Sequence, residues 1–201
     1  MTALGFPLTP GWPLVEGGLL VTARLVTSFR AAAFGIGGGF TLIALLALVL
    51  PPAALIPVHG IVQLGSNAGR VGIMLKQVVW RPVMPFVIGT VTGAGLGAVV
   101  VVQLPPWSVQ LALGVFIIWA VFAKLPPIQQ RYILFGGVVS SFLTMFFGAT
   151  GNFIAALVKS MTLDPVPHVA TPSLMMTFQH LINVLIFGLV GFQFGPYMIL
   201  I

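Results

Sequence analysis

Apolar residues run along this chain in long blocks between Pro and charged punctuation, without the strict alternation of a half-buried strand. The blocks are Leu14 to Phe34, Phe40 to Leu50, Ile56 to Leu75, Val83 to Leu104, Trp107 to Ala123, Tyr132 to Phe147, Phe153 to Val158 and Val169 to Val190, with a last one opening at Pro196. Most approach the ~20 residues that a helix needs to cross a bilayer, and they carry the Gly and Pro common in helical spans. Phe40 to Leu50 and Phe153 to Val158 are too short to cross, and each follows a glycine-containing break, so the pattern predicts half-helices or re-entrant arms there. The connectors are short and Pro-marked, and no linker or soluble domain interrupts them.

Composition turns this pattern into a class. Of 201 residues, 59% are hydrophobic and 5% charged, and the mean hydropathy is +1.16. A water-facing surface carries about a quarter to a third charged side chains, so a soluble fold is excluded. The expected fold is an all-α integral membrane protein, multi-pass in the inner (plasma) membrane. The net charge of +6 comes from singly scattered cations near block ends, without a basic run interleaved with aromatics, which excludes a nucleic-acid partner. The lipid bilayer is the partner it implies. The loops holding Lys76 and Arg81, and Lys124 and Arg131, are expected on the cytoplasmic side, with the uncharged Pro105-Pro106 turn opposite. Met1 to Val15 has no Lys or Arg, hence no signal-peptide n-region, and reads as mature protein. The absence of Cys removes thiolate metal sites and a Cys nucleophile.

The chain also resembles itself. Phe34-Gly35-Ile36-Gly37-Gly38-Gly39-Phe40 aligns with Phe147-Gly148-Ala149-Thr150-Gly151-Asn152-Phe153 at an offset of 113 residues, which also pairs Leu50 with Leu163, Pro52 with Pro165 and Asn67 with His180. One membrane domain, 1–201, is therefore expected to be a helical bundle of two homologous repeats with glycine-broken helices, 14–123 and 132–201. Val15 to Leu50 would reach ~54 Å as one helix against a ~30 Å core, so it is expected to double back, which makes the repeats inverted. The second repeat is expected to be incomplete at its C-terminal end by about 35 residues, as a fragment or as a chain completed by a homo-oligomer.

These residues resemble the TauE/SafE sulfite exporter family, also called the toluene sulfonate uptake permeases. The likeness lies in Gly35-Ile36-Gly37-Gly38-Gly39, an apolar arm ending at Pro51-Pro52, the small-polar run Gly65-Ser66-Asn67-Ala68-Gly69, a basic turn with Trp80, and a Gly-rich helix over Gly89 to Ala98. It extends from about Leu14 to the end. The sequence departs from the pattern where the second glycine motif becomes Ala149-Thr150-Gly151-Asn152, and where Arg24 and Arg30 enter the first helix. The resemblance implies a secondary transporter of sulfite, a sulfonate or a related sulfur-containing anion.

Independently of the family, half-helices starting at Gly39/Phe40 and Asn152/Phe153 would aim free N–H groups at a buried cavity, as an anion requires. Gly37, Gly38, Gly39, Thr150, Gly151 and Asn152 are the candidates there. Gln63, Ser66, Asn67 and Arg70 share one face of the following helix, and Ser173, Thr177 and His180 share one in its counterpart. Intramembrane polar groups line a pathway or pair with another helix; Arg70 can alternatively snorkel to the interface. Arg24 and Arg30 fit either a helix end or an anion access path. His180 is the proton-coupling candidate. His59, His168 and His180 come from separate segments, so no metal is expected, and no cofactor either. Gly89, Gly93 and Gly97 read as a packing face. Two acids near block ends, Glu16 and Asp164, cannot complete a hydrolytic triad, so no enzyme is expected. The competing function is a non-transporting membrane scaffold or assembly subunit.

Overall fold

The structure, a computed structural model, describes residues 22, 38–48, 50–101, 105–122 and 126–200. Apart from Thr22, the Leu14 to Phe34 block lies outside them, as do Glu16, Arg24, Arg30, Gly35, Ile36, Gly37 and Lys124. Every regular element among the described residues is helical: α1 (Gly38–Leu46), α2 (Pro52–Met74), α3 (Val83–Val101), α4 (Pro106–Phe122), α5 (Ile133–Phe147), α6 (Gly151–Lys159) and α7 (Pro165–Leu189). Helices α2 and α7 start earlier than the apolar pattern suggested, because Pro52 and Pro165 sit in their first turns, where the missing N–H is not needed. Pro57 and Pro172 lie inside these helices, as they lie inside the apolar blocks. The segment from Pro196, where the last apolar block opens, belongs to a 3-10 helix, Gly195–Leu200.

Two described helices are both long and apolar enough to cross a bilayer, α3 with 19 residues and α7 with 25. Helix α2, at 23 residues longer than α3, carries polar groups toward its neighbours. The outer faces of α3, α4 and α5 expose Met84, Ile88, Val99, Leu111, Ile118 and Phe135, a surface that suits hydrocarbon.

Helices α3 and α5 make the closest pairing, and glycine permits it. A Cβ on Gly89 would collide with the Leu134 carbonyl oxygen, and one on Gly93 with that of Val138. Both partners lie 45 residues further on, so the two helices run parallel. Helices α2 and α7 run antiparallel: the His59 and His180 rings meet at 6.2 Å, while Val79, beyond the end of α2, donates its N–H to Thr171 Oγ1 near the start of α7 at 3.0 Å.

Besides a small cluster of Ala94, Met145 and Phe146, two larger apolar cores form among the described residues. One gathers Leu42, Ile43, Leu46, Leu55 and Val58 from α1 and α2. The other joins Val78, Val83, Ile133, Leu157, Val158 and Met161. Lys76, Arg81, Arg131 and Lys159 lie on the segments flanking the second core. One end of the bundle is therefore basic.

Candidate polar site at the helix breaks

The break between α5 and α6 is built by Gly148, whose φ of 68° favours a residue without Cβ. Space makes the same demand, since a Cβ there would lie 2.7 Å from Ile43 Cδ1 and 3.0 Å from His59 Nδ1. Helix α6 then begins at Gly151. The start of α1 meets this break: a Cβ on Gly39 would lie 3.8 Å from the Ala149 Cβ. From that meeting point α1 leads toward the Leu46 core and α6 toward the basic end. Rings roof the junction, with Phe116 of α4 stacked on Phe147 at 4.2 Å and Trp119 against Phe153.

Two buried polar clusters flank the breaks. On the α2 side, fully buried His59 donates from Nε2 to the Gly39 carbonyl at 3.1 Å, and the Gln63 amide sits 3.4 Å from the same nitrogen. Asn67 Nδ2 donates to the Gln63 carbonyl at 2.8 Å. The Arg70 guanidinium donates to Asn67 Oδ1 at 3.3 Å and Ser66 Oγ at 3.2 Å, and it has no carboxylate partner among the described residues. This ladder descends α2 from the break toward the basic end. On the α5 side, Gln179 Nε2 donates to Ser140 Oγ at 3.2 Å, to Thr150 Oγ1 at 3.1 Å, and to Thr144. Thr150 is thereby tied to both α5 and α7.

Gly39, Gln63, Thr150 and His180 come together around the breaks, and Asn67 lies one turn of α2 beyond Gln63. Gly38 is the first described residue of α1, Gly151 opens α6, and half-buried Asn152 lies in the first turn of α6. Ser66 and Arg70 sit further down α2. Ser173 and Thr177 share a helix face, but their hydroxyls donate to the Val169 and Ser173 carbonyls of their own helix, both at 2.8 Å. Those bonds are local. Residues that sequence reasoning left out of the site are His59, Ser140, Ser141, Thr144, Gln179 and Asn183, all buried. A four-residue spacing, Ser140 with Thr144 and Gln179 with Asn183, was the available signal.

A crevice holding about 190 Å³ of interatomic space, too tight to admit a water molecule, lies between α2, α5 and α7. Ile56, Gly60, Thr144, Gly148, His180 and Asn183 are among its walls. No group of three His, Cys, Asp or Glu able to hold a metal ion occurs among the described residues.

The chain matches a family model, described as sulfite exporter TauE/SafE, over residues 20–201. No curated protein and no solved structure matches it.

Proposed function

We propose that this chain, which belongs to the sulfite exporter TauE/SafE family of membrane transporters, carries a small sulfur oxyanion such as sulfite or a sulfonate through the helix breaks at the bundle centre. The family is a transporter family and not an enzyme family, which makes a small anion and membrane lipid the partners in general terms. The observation that carries the finer reading is the meeting of Gly39 of α1 with the break before α6 (Gly151–Lys159), between buried polar clusters. The start of α6 leaves N–H groups without intrahelical partners and presents the positive end of the dipole, so inside apolar surroundings it favours negative charge. A scaffold that needs only packing has no use for that arrangement.

Gly39, Gln63, Asn67, Thr150 and His180 line the path in this reading, with Gly38, Gly151 and Asn152 supplying backbone. Arg70, on the ladder toward the basic end, draws anions inward, and Ser66 holds it. The bonding of Ser173 and Thr177 to their own backbone favours a packing role for those two. The antiparallel course of α2 and α7, which correspond at the 113-residue offset, supports inverted repeats. Inversion gives the centre two equivalent approaches, one from each face, as alternating access requires.

Flux measured in proteoliposomes with labelled sulfite, methanesulfonate and sulfate tests the reading. Uptake of at least one anion well above protein-free liposomes is expected. Equal flux with and without protein for all three refutes it.

A further inference from the structure

Two residues on the wall of the crevice hold polar atoms with no hydrogen-bond partner among the described residues, Nδ1 of His180 and Nδ2 of Asn183, in side chains only 3% and 2% exposed. An unpaired buried donor is worth about a tenfold change in an equilibrium constant or more, so two on one small crevice call for an explanation. Loose packing does not provide it, because neighbouring Gln179, Ser140, Thr144 and Thr150 are all bonded.

The free end of Asn183 is set by its neighbour. Ser141 donates its hydroxyl to Asn183 Oδ1 at 3.3 Å, which leaves the amide NH₂ as the unbonded group. An amide N–H is a donor at every pH, whereas an imidazole Nδ1 donates only in one tautomer or when protonated. Ile56, Gly60, Gly148, Val184 and Phe187 add no acceptor side chain, and no carboxylate lines the crevice. His59 Nδ1 is also unpartnered, but His59 uses its Nε2–H on the Gly39 carbonyl, so the neutral ring turns a lone pair toward Gly148. It offers an anion nothing.

We infer that this crevice is an oxyanion subsite in which Asn183 Nδ2 and His180 Nδ1 donate to oxygens of a sulfite or sulfonate headgroup. The inference rests on the transport reading above and adds Asn183 as a substrate-contacting residue, with Ser141 as the positioning residue that orients its amide. The crevice is too tight for water in this structure, so binding requires it to widen. Two neutral donors at its wall select for a headgroup with at least two oxygens and against halide.

Calorimetric titration of the detergent-purified full chain with sodium sulfite, methanesulfonate and chloride tests this. Asn183→Asp keeps the size of the side chain but replaces the donor with a negatively charged acceptor. It is expected to weaken sulfite binding about tenfold or more. Ser141→Ala frees the amide to turn and is expected to weaken binding by a few-fold, with the chain still folded by size-exclusion profile and helicity. Wild-type affinity in both variants overturns the subsite, and if Asn183→Asp is not recovered folded, wild-type affinity in Ser141→Ala does so alone. Wild-type flux alongside such unchanged affinity leaves the transport reading standing. Absence of flux in the wild type removes that reading, and the subsite with it.

Discussion

Gly93 and Gly95 lie two residues apart on α3 and make opposite predictions for the same substitution. A Cβ at Gly95 meets nothing within 4 Å, whereas one at Gly93 collides with the Val138 carbonyl oxygen of α5. Alanine at Gly95 gains only the helix-propensity term, about 1 kcal/mol in favour of the folded state. At Gly93 the same gain of about 1 kcal/mol is set against overpacking of about 3 kcal/mol, the upper end of the usual range because the obstacle is backbone and cannot rotate away. Gly93→Ala should therefore be destabilised by about 2 kcal/mol and Gly95→Ala stabilised by about 1, a separation of about 3 kcal/mol. Equilibrium unfolding of both variants in mixed micelles, followed by far-ultraviolet circular dichroism, measures the difference. Equal stabilities, or Gly93→Ala the more stable, would refute the close parallel pairing of α3 with α5.

The other predictions concern the centre and the ends of the bundle. Gln179→Leu removes the donor shared by Ser140, Thr144 and Thr150 and should cost about 1 to 2 kcal/mol in the same unfolding assay; unchanged stability would remove this hub from the account. Asn67→Ala and His180→Ala should each lower oxyanion flux without lowering the yield of folded protein, and normal flux in both would return these residues to packing. Because the chain has no Cys, Ser160→Cys beside Lys159 can be labelled selectively in whole cells. The positive-inside rule puts the basic end on the cytoplasmic side, so an impermeant maleimide is expected to reach it only after permeabilisation; labelling in intact cells would contradict that orientation.

Much of the fold was legible because membrane helices write themselves as apolar length. The short blocks after Phe34 and Phe147 are expected to follow breaks; Phe34 lies outside the described residues, and after Phe147 α5 gives way to Gly148 at positive φ before α6 starts at Gly151. Periodicity could not say which polar residue of α7 faces which neighbour. Ser173, Thr177 and His180 share a face, yet Ser173 and Thr177 bond along their own helix while His180 meets His59. That outcome depends on the antiparallel register of α2 against α7, which no local spacing encodes. Ser140, Ser141 and Thr144 were passed over because hydroxyls in an apolar helix can satisfy themselves on the preceding turn. Thr144 does so, donating to the Ser140 carbonyl at 2.7 Å, and still takes part in the Gln179 cluster. The Gly89, Gly93 and Gly97 face, by contrast, was readable outright, since only a neighbouring backbone requires such a stripe.

The location of the anion decides the account. Selenite, a sulfite analogue with a strong anomalous signal, can be bound to the crystallised protein and its selenium found by anomalous diffraction. Selenium is expected beside Gly39 and the start of α6, within hydrogen-bonding reach, through its oxygens, of His180 and Asn183. Selenium held instead at a site remote from both breaks, with the junction of Gly39, Ala149 and Thr150 empty, would contradict it.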